Sequence, residues 1–291
     1  MRCGRTPGYG GNHVAKTPTI EAESALAGRL DYRHLLVVTT GLIYLTVLLG
    51  VSTRATGSGL ACNANWPLCD GGVLNLFPAS VPSAFEWIHR VVAGVTGAFI
   101  LGTAVAAWRG QARGRRIRWA VTAGLVLLPV QVLLGRETVV SFVPPILALH
   151  YWTAMAIYGA FVVGGVVAFY GTLDRRHVGA ALGAAVVLVP VQAALAPPVV
   201  VSYSAPIQAL QYAVILLVFA VLLVATIVGW RYAERAAVRY TLALATAVAP
   251  FAVFFGRQRI VHPELASAHL AATTLLFVTV VASAAWFVLS R

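Results

Sequence analysis

"PVQVLLGRETVVSFVPPILALH", residues 129–150, returns as "PVQAALAPPVVVSYSAPIQALQ", residues 190–211. Eleven of the 22 aligned positions are identical with no gap, far more than shared hydrophobicity gives, so the chain repeats at 61 residues. Carried backwards from His150 the period reaches His89, and carried forwards it reaches Gln211. A weaker fourth copy runs from "PFAVFFGR" at 250–257 to "LASAH" at 265–269 after a short deletion. Each copy reads as one helical hairpin with a marked residue near the start of its second helix: His89, His150, Gln211 and His269.

The hairpins belong in a bilayer. Of the 291 residues 59% are hydrophobic and 10% charged, and the mean hydropathy is +0.83. That leaves too little polar surface for a soluble domain. Apolar stretches long enough to cross the hydrocarbon core fall at about 34–53, 84–108, 117–135, 147–171, 178–196, 207–230, 238–256 and 265–289. The net charge of +12 does not mark a nucleic-acid partner, because Arg and Lys gather in alternate connections. Arg109, Arg113, Arg115, Arg116 and Arg118 lie between spans two and three; Arg175 and Arg176 between four and five; Arg231, Arg235 and Arg239 between six and seven. The positive-inside rule then places both termini in the cytoplasm and the 54–83 loop outside, as expected for a multi-pass protein of a prokaryotic plasma membrane. Residues 1–33, rich in Gly, Pro and Thr, read as a disordered cytoplasmic tail. Because all four hairpins share one orientation, the expected fold is all-α: eight transmembrane helices forming two four-helix bundles, 34–175 and 176–291, related by a pseudo-twofold axis along the membrane normal.

An ionisable group inside a membrane helix costs roughly 2.5–3.5 kcal/mol on insertion scales, so it normally faces a bundle interior. A lone histidine there is often just an interhelical hydrogen bonder. Two at equivalent depth in one half, His89 and His150, can instead approach one metal, and heme iron suits an apolar bundle because two neutral imidazoles fill its axial positions. Glu86 precedes His89 by three residues and shares its helical face. It reads either as a solvated helix-start carboxylate or as an acid-base group beside a macrocycle. Cys62 and Cys69, in the outer loop "CNANWPLCDG", suggest a disulfide, since a lone Cys pair without His is poor for zinc. Arg90, Arg54, Arg136 and Arg257 fall near outer helix ends, where they could pair with propionates or merely snorkel. Gln131 and Gln192 recur in register and read as interhelical hydrogen bonders, and His262 reads as a loop residue.

The ordered set "LLGVSTRATGSGLACNANWPLCDG", "EWIHRVVAG" and "LLGRETVV…ALH" resembles the heme A synthase family over roughly residues 35–290. That resemblance implies oxidation of the C8 methyl of heme O to the formyl of heme A, by successive hydroxylation with water-derived oxygen, for use in terminal oxidases. It further implies that the N-terminal half is catalytic, with His89 and His150 as iron ligands, Glu86 beside the reacting methyl, and Cys62 and Cys69 as the family's outer-loop disulfide. A second bis-His site holding heme b is expected in the other half. Here the chain departs from the pattern, because Gln211 stands at one of its two positions and only His269 remains. Three outcomes stay open for that half: a five-coordinate heme on His269, a heme with an unexpected sixth ligand, or no heme. The partners implied are heme O, the heme O synthase that makes it, membrane lipid and a second copy of the chain. The rival readings are a b-type electron-transfer cytochrome, which leaves Glu86 without a task, and a heme transporter, which leaves the cysteine pair unexplained.

Overall fold

The computed structural model describes Met1 and residues 31–62, 65–69, 77–112, 114–141, 143–196 and 201–289. Residues 2–30 of the expected tail lie outside these, and its last residues belong instead to the first helix, which Asp31 caps and Tyr32 and Arg33 open. Eight long helices follow in order: α1 (Tyr32–Ala55), α2 (Val81–Ala106), α3 (Arg115–Val140), α4 (Pro144–Ala168), α5 (Arg175–Ala194), α6 (Ala205–Gly229), α7 (Ala236–Gln258) and α8 (Ala266–Leu289). Every one is long and apolar enough to cross a bilayer, and no strand occurs among the described residues. The protein is a multi-pass membrane protein.

The helix ends follow local chemistry. Asp31 caps α1 by accepting from the backbone of Arg33 and His34, while His34 Nδ1 accepts from the Asp31 amide at 3.2 Å. Asp174, Arg176 and His177 repeat this box at α5, again at 3.2 Å. Ser80 caps α2 and Ser204 caps α6, each with proline in the first turn, where a missing N–H costs nothing. Pro129, Pro190 and Pro250 lie inside α3, α5 and α7, at the recurring position seen in the sequence. The helix α3 runs to Val140, beyond its apolar stretch, and takes in Arg136 and Glu137, which pair with each other.

In each half the four helices close a ring, α1–α2–α3–α4 and α5–α6–α7–α8, with α1 against α4 and α5 against α8. Lipid tails offer no hydrophobic drive between helices, so close packing and interhelical hydrogen bonds hold the rings. Hydroxyl pairs serve this role: Thr39 with Thr103 at 2.8 Å and Thr46 with Thr96 at 2.7 Å join α1 to α2, and Thr226 with Thr246 at 2.8 Å joins α6 to α7.

The joint between the halves sets α1 and α4 against α6, with the end of α7 alongside. Tyr44 donates to the Ala213 carbonyl at 3.1 Å, Tyr158 to Leu216 at 3.3 Å and Tyr151 to Pro250 at 2.8 Å. A twofold exchange would add matching contacts of α5 and α8 with α2, and none of comparable extent is present. The edge α4–α1 of one ring therefore meets the opposite kind of edge, α6–α7, of the other. An aromatic seam lines this joint, in which Tyr151 and Trp152 of α4 lie 5.6 and 5.3 Å from Phe254 of α7.

Candidate functional site

Three of the four marked residues sit against a glycine of the preceding helix. A Cβ added at Gly50 of α1 would lie 2.9 Å from Cε1 of His89; at Gly135 of α3, 3.2 Å from Cε1 of His150; at Gly256 of α7, 2.9 Å from Cε1 of His269. The fourth place, opposite Gln211, is Ala196 by the repeat. Glycine thus occurs where an imidazole must nest and alanine where it need not. The carbonyl one turn before each glycine faces the same ring. His269 Nδ1 donates to the Ala252 carbonyl at 2.9 Å. The Thr46 carbonyl faces His89 and the Gln131 carbonyl faces His150, but without closing the bond, for Nδ1 of both rings is buried and has no partner. An imidazole whose Nδ1–H points at a carbonyl keeps Nε2 as its lone-pair nitrogen, which is how a ligand histidine is normally oriented.

His89 of α2 and His150 of α4 are near enough to interact electrostatically, and both rings are half-buried. The Gln131 amide donates to His150 Nε2 at 3.4 Å, and its own oxygen is buried without a partner. One turn from His89, Glu86 is 5% exposed. It accepts from Nε of Arg90 at 2.9 Å. Both side chains of this pair are largely buried, at 12% and 7% exposure.

Arg90 also reaches the loop. Its Nη1 donates to the Asn65 and Leu68 carbonyls at 2.7 Å each and to Pro67 at 3.4 Å. The disulfide Cys62–Cys69 closes that loop. Ser83 of α2 holds it by donating to the Ala61 carbonyl at 3.0 Å, and the Cys69 sulfur lies 3.6 Å from the Ser83 carbonyl. By position alone Arg90 could equally pair with a propionate or snorkel. The structure turns it inward as the link between carboxylate and loop, leaving only Nη2, buried and unpartnered.

The remaining arginines differ among themselves. Arg136 pairs with Glu137. Arg54 and Arg257 are near enough to repel each other at the joint of the halves, and Arg257 lies 5.8 Å over the Tyr203 ring. His262 pairs with Glu264 at 3.1 Å, away from the histidine nests. Among the described residues no three His, Cys, Asp or Glu side chains group as a metal cage. The donor set offered is paired imidazoles, which suits a macrocycle that brings four nitrogens of its own.

Part of this was visible in the sequence: Leu134–Gly135 and Phe255–Gly256 share the repeat position that Leu195–Ala196 breaks, whereas Leu49–Gly50 lies outside the 61-residue register and only the folded helices bring it to His89. Nothing in the residue pattern, by contrast, announces the carbonyls that Arg90 meets.

Fold and site together define a polytopic helical membrane protein with paired intramembrane histidines and a carboxylate one turn away, beneath a disulfide-closed loop. A family model described as "Cytochrome oxidase assembly protein" (COX15-CtaA) matches residues 33–199, and the chain belongs to that family. It is 35% identical over 134 residues to "Heme A synthase" of Alkalihalophilus pseudofirmus, covering 46% of this chain and 45% of that one. Against "Heme A synthase" of Bacillus licheniformis it is 31% identical over 129 residues, covering 44% and 42%. It is also 38% identical over 135 residues to "Protoheme IX farnesyltransferase" of Halobacterium salinarum, covering 46% of this chain and 29% of that one. The chain thus aligns with less than half the length of these relatives.

Proposed function

We propose that the protein is a heme A synthase, converting the C8 methyl of heme O to a formyl group in its N-terminal half. The observation that carries this reading is the buried Glu86 one turn from His89, with His150 near enough to His89 to interact electrostatically. The site fits a porphyrin: two glycine nests seat the imidazoles, and the Nδ1 atoms and the Gln131 oxygen remain buried without partners. His89 and His150 would hold the iron of the substrate, which supplies the methyl group to be oxidised. The conversion takes an oxygen from water and releases four protons and four electrons, the electrons passing to an external carrier. Glu86 is the group placed to accept protons at that edge, and such a base contributes roughly 10²- to 10⁴-fold. Arg90 orients Glu86, and its buried Nη2 is a donor for a propionate. Arg54 and Arg257, two cations held close together, form a second place for an anionic substituent.

Both termini lie in the cytoplasm and the heme site toward the outer face, a reading supported by the alternation of arginines and by the disulfide in the loop over α2. Likeness to a stretch of a protoheme farnesyltransferase supports a working partnership with the enzyme that supplies heme O.

The test is extraction and chromatography of heme from the full chain, purified from cells that make heme O, for wild type, Glu86→Ala and His89→Met. Heme A in wild type, with heme O retained or heme lost in the variants, is the expected result. Heme b alone in all three, with no formyl heme, sinks the proposal and favours an electron-transfer cytochrome.

A further inference from the structure

In the C-terminal half both polar positions of the N-terminal half carry amides. Two periods of 61 residues carry Glu86 onto Gln208 and His89 onto Gln211. Gln208 is 1% exposed, and Gln211 and Gln192 are 0% exposed. All six amide atoms of these three side chains lack a partner, as does the Thr273 hydroxyl one turn beyond His269. A buried polar atom left unpaired costs about 1–3 kcal/mol. Three such glutamines therefore make poor packing material for an empty half, where leucines would be more stable. They are good material for a pocket whose contents bring hydrogen-bonding atoms.

The nested histidine of this half is prepared as a ligand. His269 is the one nested ring whose Nδ1 bond to a carbonyl is closed, at 2.9 Å, so its Nε2 carries the free lone pair. Gly256 retains the nest: a Cβ there would lie 2.9 Å from His269 Cε1 and 3.4 Å from Gln211 Nε2. One glycine thus lies against both the imidazole and the amide, which brings the two side chains to one place between α6, α7 and α8. An amide is a weak iron ligand but a good hydrogen-bond partner for a molecule bound to iron.

We propose that the C-terminal half is a single-histidine heme pocket, with His269 as the only protein ligand and the Gln211 amide over the open face, which admits a small exogenous ligand such as carbon monoxide. The proposal rests on the reading that this chain holds heme between its helices. It differs from a paired-histidine site in leaving one axial position to water or a diatomic molecule, for which Gln211 supplies the donor.

The experiment uses the full chain with its bound heme, reduced and exposed to carbon monoxide. Heme is quantified as the pyridine hemochrome, and the ferric spin state is read by electron paramagnetic resonance. Wild type should show a high-spin, carbon-monoxide-reactive heme besides a low-spin heme that does not respond. His269→Ala should reduce the reactive fraction to background while the low-spin signal persists, which also reports that the variant folds. Gln211→His should convert the high-spin signal to low-spin and abolish carbon monoxide binding with no loss of heme. A wild-type spectrum wholly low-spin and unreactive, or a reactive heme that survives His269→Ala, overturns the proposal. Because these readouts are spectroscopic, absence of heme O oxidation would count against the synthase reading alone, whereas absence of any bound heme would sink both.

Discussion

Glu86, His89 and Arg90 sit within five positions of one another, and each is stabilised by a different partner. Glu86 is held by Arg90, His89 by a glycine nest, and Arg90 by loop carbonyls. Replacing Glu86 by Gln keeps the shape and removes the proton acceptor, so heme O oxidation should fall at least about 100-fold while bound heme is unchanged; hemochrome spectra and product chromatography read both. The nest makes a sharper steric prediction. Gly50→Ala puts a methyl 2.9 Å from the His89 ring and should displace it, with loss of bound heme. Gly135→Ala, at 3.2 Å, should act in the same direction more mildly. Gly94→Ala, on the same helix as His89 but with nothing within 4 Å, should leave the spectrum untouched. Equal effects at all three would show that the nests do not position ligands. His89 and His150 were legible in sequence because they recur, whereas the nests needed the tertiary pairing of two helices that the period only hinted at.

Among elements, the loop before α2 is tied to the site by one side chain. Arg90 bonds carbonyls on the disulfide-closed loop and the Glu86 carboxylate at once. Arg90→Gln leaves a buried carboxylate without its cation, a loss of about 3–5 kcal/mol by the usual cost of breaking such a pair, visible in thermal denaturation in detergent. Cys62→Ser with Cys69→Ser should loosen the same carbonyls and lower heme O oxidation. Combined with Arg90→Gln the effects should fall short of their sum, since groups in one network do not act independently. Full additivity would mean that loop and carboxylate are unconnected. The cysteine pair was visible in sequence, but its destination was not, because a backbone carbonyl carries no residue-type signature.

At the scale of the molecule, two similar rings meet through unlike edges. Tyr151 is the centre of that joint, bonding Pro250 and lying 6.3 Å from the Tyr212 ring. Tyr151→Phe should cost about 1 kcal/mol, the worth of one hydrogen bond. Tyr151→Ala should cost about 3 kcal/mol or more, as for other large-to-small changes, and loosen the halves, read as a lower melting temperature and as proteolysis between α4 and α5. If both variants melt with wild type, the aromatic seam is not what joins the rings.

Several features follow from the sequence alone. Eight apolar stretches with alternating arginines define the membrane class, because spans and charge bias are local in the chain, and the 61-residue period locates His89, His150 and Gln211, with His269 following after the short deletion in the fourth copy. The helix caps at Asp31 and Asp174 are equally local. Only the tertiary structure decided which edges of the two rings meet, which carbonyls orient each imidazole, and that Arg90 points inward to a loop 22 to 25 residues away. Those outcomes depend on contacts between helices distant in sequence, and a repeat with the same apolar pattern in every copy is compatible with more than one such packing until particular aromatic and glycine contacts choose among them.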